Sequence, residues 1–200
     1  MSTCSVVILP SGGANIASLT HALDRLGARS ELSADPAHVR AASHVILPGV
    51  GAADDAMERL RAARLDRLIP ALRQPVLGIC LGMQLLFESS AEGPTECLGI
   101  LAGRALRLAA APDRPVPHIG WNTIEPLIAS VLLEGLRAGD RAYFVHSYVL
   151  PVAPTTIAST DYGGAFSACV QQGNFFGVQF HPERSAGIGA RVLRNFLAAA

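Results

Sequence analysis

Apolar positions come first in short unbroken runs and later in alternating ones, and this change of rhythm divides the chain. Residues 6–9, 44–47 and 76–79 are brief, dominantly apolar runs that predict buried strands, with 29–32 as a further strand. Between them, Ile16, Leu19, Leu23 and Leu26 fall on one stripe of a helix over 15–26, and Gly27 stops it. Asp35-Pro36 opens a short helix, and 52–72 reads as helix with a break in its middle. Apolar strands separated by amphipathic helices predict a parallel sheet covered on both faces. Beyond residue 100 the runs at 103–108, 117–124, 141–150, 157–159, 165–171 and 175–180 alternate, with Gly and Pro between them. They predict antiparallel strands beside the parallel core, and 186–197 predicts a last helix packed back on the sheet. The reading is one α/β domain over 1–200, a three-layer sandwich with a mainly parallel central sheet.

Composition narrows the class. The chain has 200 residues, half of them hydrophobic, which is enough for one well-packed core. Net charge is zero, so no basic face calls for nucleic acid. All 16 cationic side chains are Arg. Cys4, Cys80, Cys97 and Cys169 are scattered, with no C-x-x-C pair and no zinc-type spacing, so neither a metal nor a cofactor is expected. The first residues lack the cationic region of a secretory signal, and no apolar span approaches the roughly 20 residues of a membrane helix. A soluble, cytoplasmic protein with no membrane contact is expected.

The candidate chemistry centres on Gly78-Ile79-Cys80-Leu81-Gly82, where the apolar run 76–79 meets a helical pattern over 83–88. A cysteine between two glycines at a strand-to-helix bend is the arrangement of a nucleophile elbow, with sulfur in place of the serine oxygen. Backbone N–H groups and the dipole at the helix start favour thiolate there. The nucleophile needs a base, and His181 heads His181-Pro182-Glu183 directly after the run 175–180. In an extended segment Glu183 falls on the same side as His181, where it can fix the ring's tautomer. His146, in Phe144-Val145-His146-Ser147-Tyr148, is the rival base. The Leu81 N–H supplies one oxyanion donor. The loop Pro48-Gly49-Val50-Gly51, after the strand 44–47, is placed to supply the other. Gln84 lies one turn beyond Cys80 and can reach a bound substrate.

Together these segments resemble the class I, or triad, glutamine amidotransferases: Gly78 to Gln84, Pro48 to Gly51 before it, and Gly177-Val178-Gln179-Phe180-His181-Pro182-Glu183 after it. Three more are similar to the glutaminase subunits of imidazole glycerol phosphate synthases. They are Pro117-His118-Ile119-Gly120-Trp121-Asn122, Tyr143 to Tyr148, and Gly12-Gly13-Ala14-Asn15. The resemblance implies a catalytic triad of Cys80, His181 and Glu183 that hydrolyses glutamine to glutamate and ammonia. It implies glutamine held by Gln84, Gly49 and backbone groups of Ser147 and Tyr148. It also implies a heterodimer with a (βα)₈-barrel cyclase subunit, which Asn15, Trp121 and Arg184 would face. The cyclase would use the ammonia to make imidazole glycerol phosphate and aminoimidazole carboxamide ribonucleotide in histidine biosynthesis. Alternatives are the glutaminase subunit of an anthranilate, aminodeoxychorismate or pyridoxal phosphate synthase, or a catalytically silent protein of the same fold. The chain departs from the family at Pro10-Ser11-Gly12, where Asp-Tyr-Gly is usual, and at Arg184, where Lys is common.

Overall fold

Alternation along the inner strands sets the layers. In the computed structural model, which describes residues 5–10 and 16–199, β1 (Ser5–Ile8) turns Val6 and Ile8 into one apolar cluster. Its Val7, with the following Leu9, enters a second cluster. β3 (His44–Leu47) divides likewise, Ile46 to the first cluster and Val45 with Leu47 to the second. α1 (Ile16–Asp24) and α6 (Ala186–Leu197) fill the first with Leu19, Leu23, Val192, Leu193 and Phe196. α2 (Pro36–Ala41), α3 (Ala53–Ala62) and α4 (Leu65–Leu68) fill the second with Val39, Met57, Leu60 and Leu65. A sheet apolar on both faces must be covered on both, and the three-layer α/β sandwich follows. Asn15 lies outside the described residues, as does Cys4.

The central sheet is mixed. β1 pairs in parallel with β2 (Arg29–Leu32) and β3, β3 with β4 (Val76–Ile79), and β4 with β13 (Phe175–Val178). Beyond β13 come β12 (Ala165–Gln172), β11 (Thr156–Asp161), β8 (His118–Pro126) and β9 (Asp140–His146), each antiparallel to its neighbour. The nine strands run β2-β1-β3-β4-β13-β12-β11-β8-β9. The strand order reverses between β1 and β3, and the elbow follows the C-terminal end of β4, one strand further along the same edge of the sheet.

Two expectations needed correction. The helix after the elbow, α5 (Leu81–Leu85), is shorter than the pattern over 83–88 predicts. The next residues leave it as β5 (Phe87–Ser90) and pair with β6 (Thr95–Glu96) and β7 (Leu101–Arg107). Phe87 sits opposite Leu101 and both are buried, so a distant strand outcompetes one more helical turn. The predicted strand 141–150 also divides. β9 ends at His146, and β10 (Tyr148–Val149) crosses to pair with β7 in a second sheet of order β10-β7-β5-β6. Ser147 is the point where the chain changes sheets. The break foreseen in 52–72 falls at Arg64, whose φ of 56° ends α3 and starts α4.

Candidate active site

The elbow is built by glycines that let α5 press onto the sheet. Gly78 on β4 lies beside Gly177 on β13. A Cβ at Gly78 would come within 2.7 Å of the Gly82 carbonyl and the Met83 nitrogen, and one at Gly177 within 2.7 Å of Met83 Cγ. A Cβ at Gly82 would sit 1.8 Å from the Leu47 carbonyl oxygen. Gly49 packs equally closely, its Cβ position 2.9 Å from both the Gly82 nitrogen and Leu81 Cβ. Cys80 itself adopts φ 55° and ψ −111°, a backbone conformation costing on the order of 1–3 kcal/mol for a residue with a side chain. Its N–H donates to the Val178 carbonyl at 2.8 Å, while its own carbonyl accepts from Met83 and Gln84. The strained residue is therefore held from both sides. α5 has only five residues, so its dipole is a smaller influence on the thiol than a full helix would be.

His181 reaches Cys80 from the segment just past β13. Its Nδ1–H donates to Glu183 Oε1 at 2.9 Å, which leaves Nε2 for the hydrogen bond to Cys80. Burial acts to lower the His181 pKa, but hydrogen bonds to Cys80 and Glu183, and the negative charge of both, raise it to about 10. The pair differs in detail from the expected extended segment. His181 is extended, but Pro182–Arg184 forms a 3₁₀ turn. That turn folds Glu183 back onto the ring. Ser185 locks the turn, donating its hydroxyl to the His181 carbonyl at 2.7 Å and accepting the Tyr143 N–H at 2.9 Å.

The rival base is excluded by its partners. His146 donates Nδ1–H to the Tyr148 carbonyl at 3.0 Å, so its Nε2 is the acceptor for His118 Nδ1–H at 3.1 Å. Burial first, then the neighbouring His118 and His181, push His146 down to about 3. It is a neutral ring with both nitrogens committed.

Cys80 and His181 open into a cavity of about 250 Å³, on the scale of a small metabolite. Val50, Gly51, Leu81, Gln84, Ser147 and Tyr148 line it. Gly49 does not. It lines a smaller adjoining cavity with Pro48, Val50 and Glu183, because its role is to let the loop touch the elbow. As the first residue of α5, Leu81 has an N–H without an intrahelical acceptor, beside the nucleophile. Gln84 Nε2 is committed to the Tyr148 carbonyl and to Gln179 Oε1, both at 3.0 Å, which leaves its Oε1 for a ligand. Sequence reasoning missed Glu92, which lines the cavity from the turn between β5 and β6. It accepts the Ala53 N–H at 3.1 Å, and burial raises its pKa. An acid in a turn carries no local signal of its role.

Trp121 and Arg184 stand on one surface next to this site. Trp121 on β8 is opposite Tyr143 on β9, and their rings meet edge to face at 6.0 Å. The Arg184 guanidinium lies over the same Tyr143 ring, 4.7 Å from its centre. Ile119 and Trp121 are 60% and 46% exposed, an unusual outlay of apolar surface on one strand.

Known proteins match this arrangement along its length. The family model described as glutamine amidotransferase class-I covers residues 7–200. A protein of Xylella fastidiosa (strain Temecula1), named imidazole glycerol phosphate synthase subunit HisH, is 53% identical over 192 residues, 96% of each chain. A protein of the same name from Xanthomonas euvesicatoria is 52% identical over the same share. A crystal structure of a glutamine amidotransferase, 22% identical, superposes with a TM-score of 0.75 over 96% of this chain and 97% of that one. With an elbow cysteine and a histidine at one pocket, a glutamate bonded to that histidine, and this match from strand β1 to the last helix, the chain belongs to the class I glutamine amidotransferase family.

Proposed function

We propose that this chain is the glutaminase subunit of an imidazole glycerol phosphate synthase, acting as one domain. It would hydrolyse glutamine in the pocket at Cys80 and deliver ammonia to a (βα)₈-barrel cyclase. The observation that carries the chemistry is that Cys80 and His181 line one cavity while Glu183 holds the His181 ring from behind. The choice of synthase rests on the two HisH proteins, each at least 52% identical over 96% of the chain.

In the proposed reaction the Cys80 thiolate attacks the side-chain amide carbon of glutamine. The oxygen that becomes negative is met by the Leu81 N–H and by the loop bearing Val50 and Gly51. His181, protonated and oriented by Glu183, gives its proton to the departing nitrogen as the C–N bond breaks, releasing ammonia and leaving a γ-glutamyl thioester on Cys80. His181 then takes a proton from water, the resulting hydroxide adds to the thioester carbon, and the C–S bond breaks to give glutamate. Glu92 is placed for the α-ammonium of glutamine, and the backbone at Ser147 and Tyr148 for its amino-acid end. Trp121, Arg184 and, by the family resemblance alone, Asn15 would face the cyclase.

The test is Cys80→Ala in the complex with the cyclase. Synthesis from glutamine is expected to be lost and synthesis from added ammonia retained. Glutamine-dependent turnover surviving that change would refute the assignment.

A further inference from the structure

Gln179 is wholly buried and lies against the nucleophile, yet the mechanism above does not use it. It sits two residues before His181, just past β13. Gln179 and His181 alternate with Val178 and Phe180, which enter the apolar cluster under α1 and α6, and both reach Cys80. A carboxamide with no solvent must place all its polar groups, and here the direction of each is determined. The Tyr148 carbonyl can only accept, so the Gln84 group facing it at 3.0 Å is its NH₂. The second hydrogen of that NH₂ goes to Gln179 at 3.0 Å, so the Gln179 atom there is its oxygen. The Gln179 NH₂ is then left facing the Cys80 sulfur, at 3.7 Å. One acceptor-only carbonyl on the pocket wall thus orients two carboxamides and aims an N–H at the sulfur.

We propose that Gln179 is a hydrogen-bond donor to the reacting sulfur, favouring the thiolate, and that through Gln84 it ties the nucleophile to the Tyr148 edge of the substrate pocket. The Cys80 thiol donates to the Val145 carbonyl at 3.5 Å, a bond that disappears on ionisation. Gln179 and His181 remain as donors to the anion. A donor from a neutral side chain does this at any pH, whereas the contribution of His181 changes with its own proton. His146 and Glu92 also border the cavity and Glu183 stands behind His181, so none of these titrating groups may be altered in the comparison.

This inference rests on Cys80 as the nucleophile, and its test separates the two. Gln179→Met keeps the length and removes the polar groups; Gln179→Glu keeps the shape and puts oxygen where the donor was. In the full complex, iodoacetamide alkylation of Cys80 is followed across neutral pH, alongside turnover from glutamine and from ammonia. We expect Gln179→Met to slow alkylation at neutral pH by about tenfold and to displace its pH profile upward. Gln179→Glu is expected to slow it further, and glutamine turnover to fall in the same order while ammonia turnover holds. A side chain that only fills space predicts the opposite order, Glu nearer the parent than Met. That order, or parental alkylation in both variants, would overturn the proposal. If neither variant folds, the parent protein decides: the Gln179 carboxamide signals in a ¹H–¹⁵N spectrum must move with Cys80 titration, and fixed signals overturn it. Survival of glutamine turnover in Cys80→Ala would instead sink the glutaminase reading.

Discussion

The backbone N–H of His181 donates to the Tyr143 carbonyl at 2.9 Å, tying the proposed base to the residue against which Trp121 and Arg184 pack. The proposed partner surface and the proposed catalytic base are one hydrogen bond apart. Any displacement of Tyr143 by a docked protein is therefore felt at His181 without passing through the core.

Arg184→Glu is expected to reveal that surface. Its charge sits at the rim, stacked on Tyr143, and reversing it should weaken association with the cyclase by roughly tenfold or more. Basal glutamine hydrolysis by the isolated chain should stay at the parental level. Titration calorimetry against the cyclase measures the first and a glutamate assay the second; unchanged affinity would remove Arg184 from the interface.

The raised His181 pKa predicts how stability depends on pH. Near pH 6 the residue is protonated in both folded and unfolded chains, and its contacts with Cys80 and Glu183 contribute fully. As pH rises from the unfolded value of 6.5 toward about 10, the unfolded chain releases the proton first and the contribution drains away. Glu183→Gln removes one of the partners that raise the pKa. The stability advantage of the parent over this variant should therefore be largest near pH 6 and shrink toward pH 10. Urea unfolding across that range tests it, and an advantage that grows with pH would contradict it.

The described cysteines should differ sharply in reactivity. Burial pushes the Cys97 thiol up to about 11, although Arg61 opposes it, and pushes the fully buried Cys169 higher still. Both are thiols at neutral pH, while Cys80 opens into the cavity beside His181. Limited iodoacetamide treatment followed by peptide mass spectrometry should find the label on Cys80 well before Cys97 or Cys169. Equal labelling of Cys97 would count against the site.

Two glycines should respond unequally to alanine. At Gly82 the added carbon meets the Leu47 backbone oxygen at 1.8 Å, so β3 or α5 must move. The loss should be about 3 kcal/mol or more, and glutaminase activity should go with it. At Gly27 the φ of 76° is unfavourable but nothing lies within 4 Å, so about 1 kcal/mol is expected. Denaturant midpoints of the two variants give the comparison.

Much of the site was legible because its logic is local. The glycines around Cys80 announce a bend, and the bend is there with φ 55°. His181 and Glu183 were paired correctly, though by a 3₁₀ turn and not by strand alternation. Glu92 and Gln179 escaped notice because each matters only through what it faces. Glu92 reaches the cavity from a turn after β5, whose first residues were read as part of a helical pattern over 83–88. Gln179 is an isolated polar residue in an apolar strand, a pattern that by itself says buried carboxamide and nothing about its partner. Gly49 was read as a pocket residue, and the cause of its small size is the pressure of α5 behind it.

Chain order alone determined which segments could be strands or helices, that both sheet faces needed cover, and where a nucleophile could stand. These follow from spacing of apolar side chains and from backbone freedom at glycine, which act within a few residues. Tertiary structure decided the rest: that Phe87 joins a second sheet, that the chain changes sheets at Ser147, and which atoms of Gln84 and Gln179 face the sulfur. Each of those outcomes is a competition among partners far apart in the chain, and its winner depends on distances that only the folded molecule possesses.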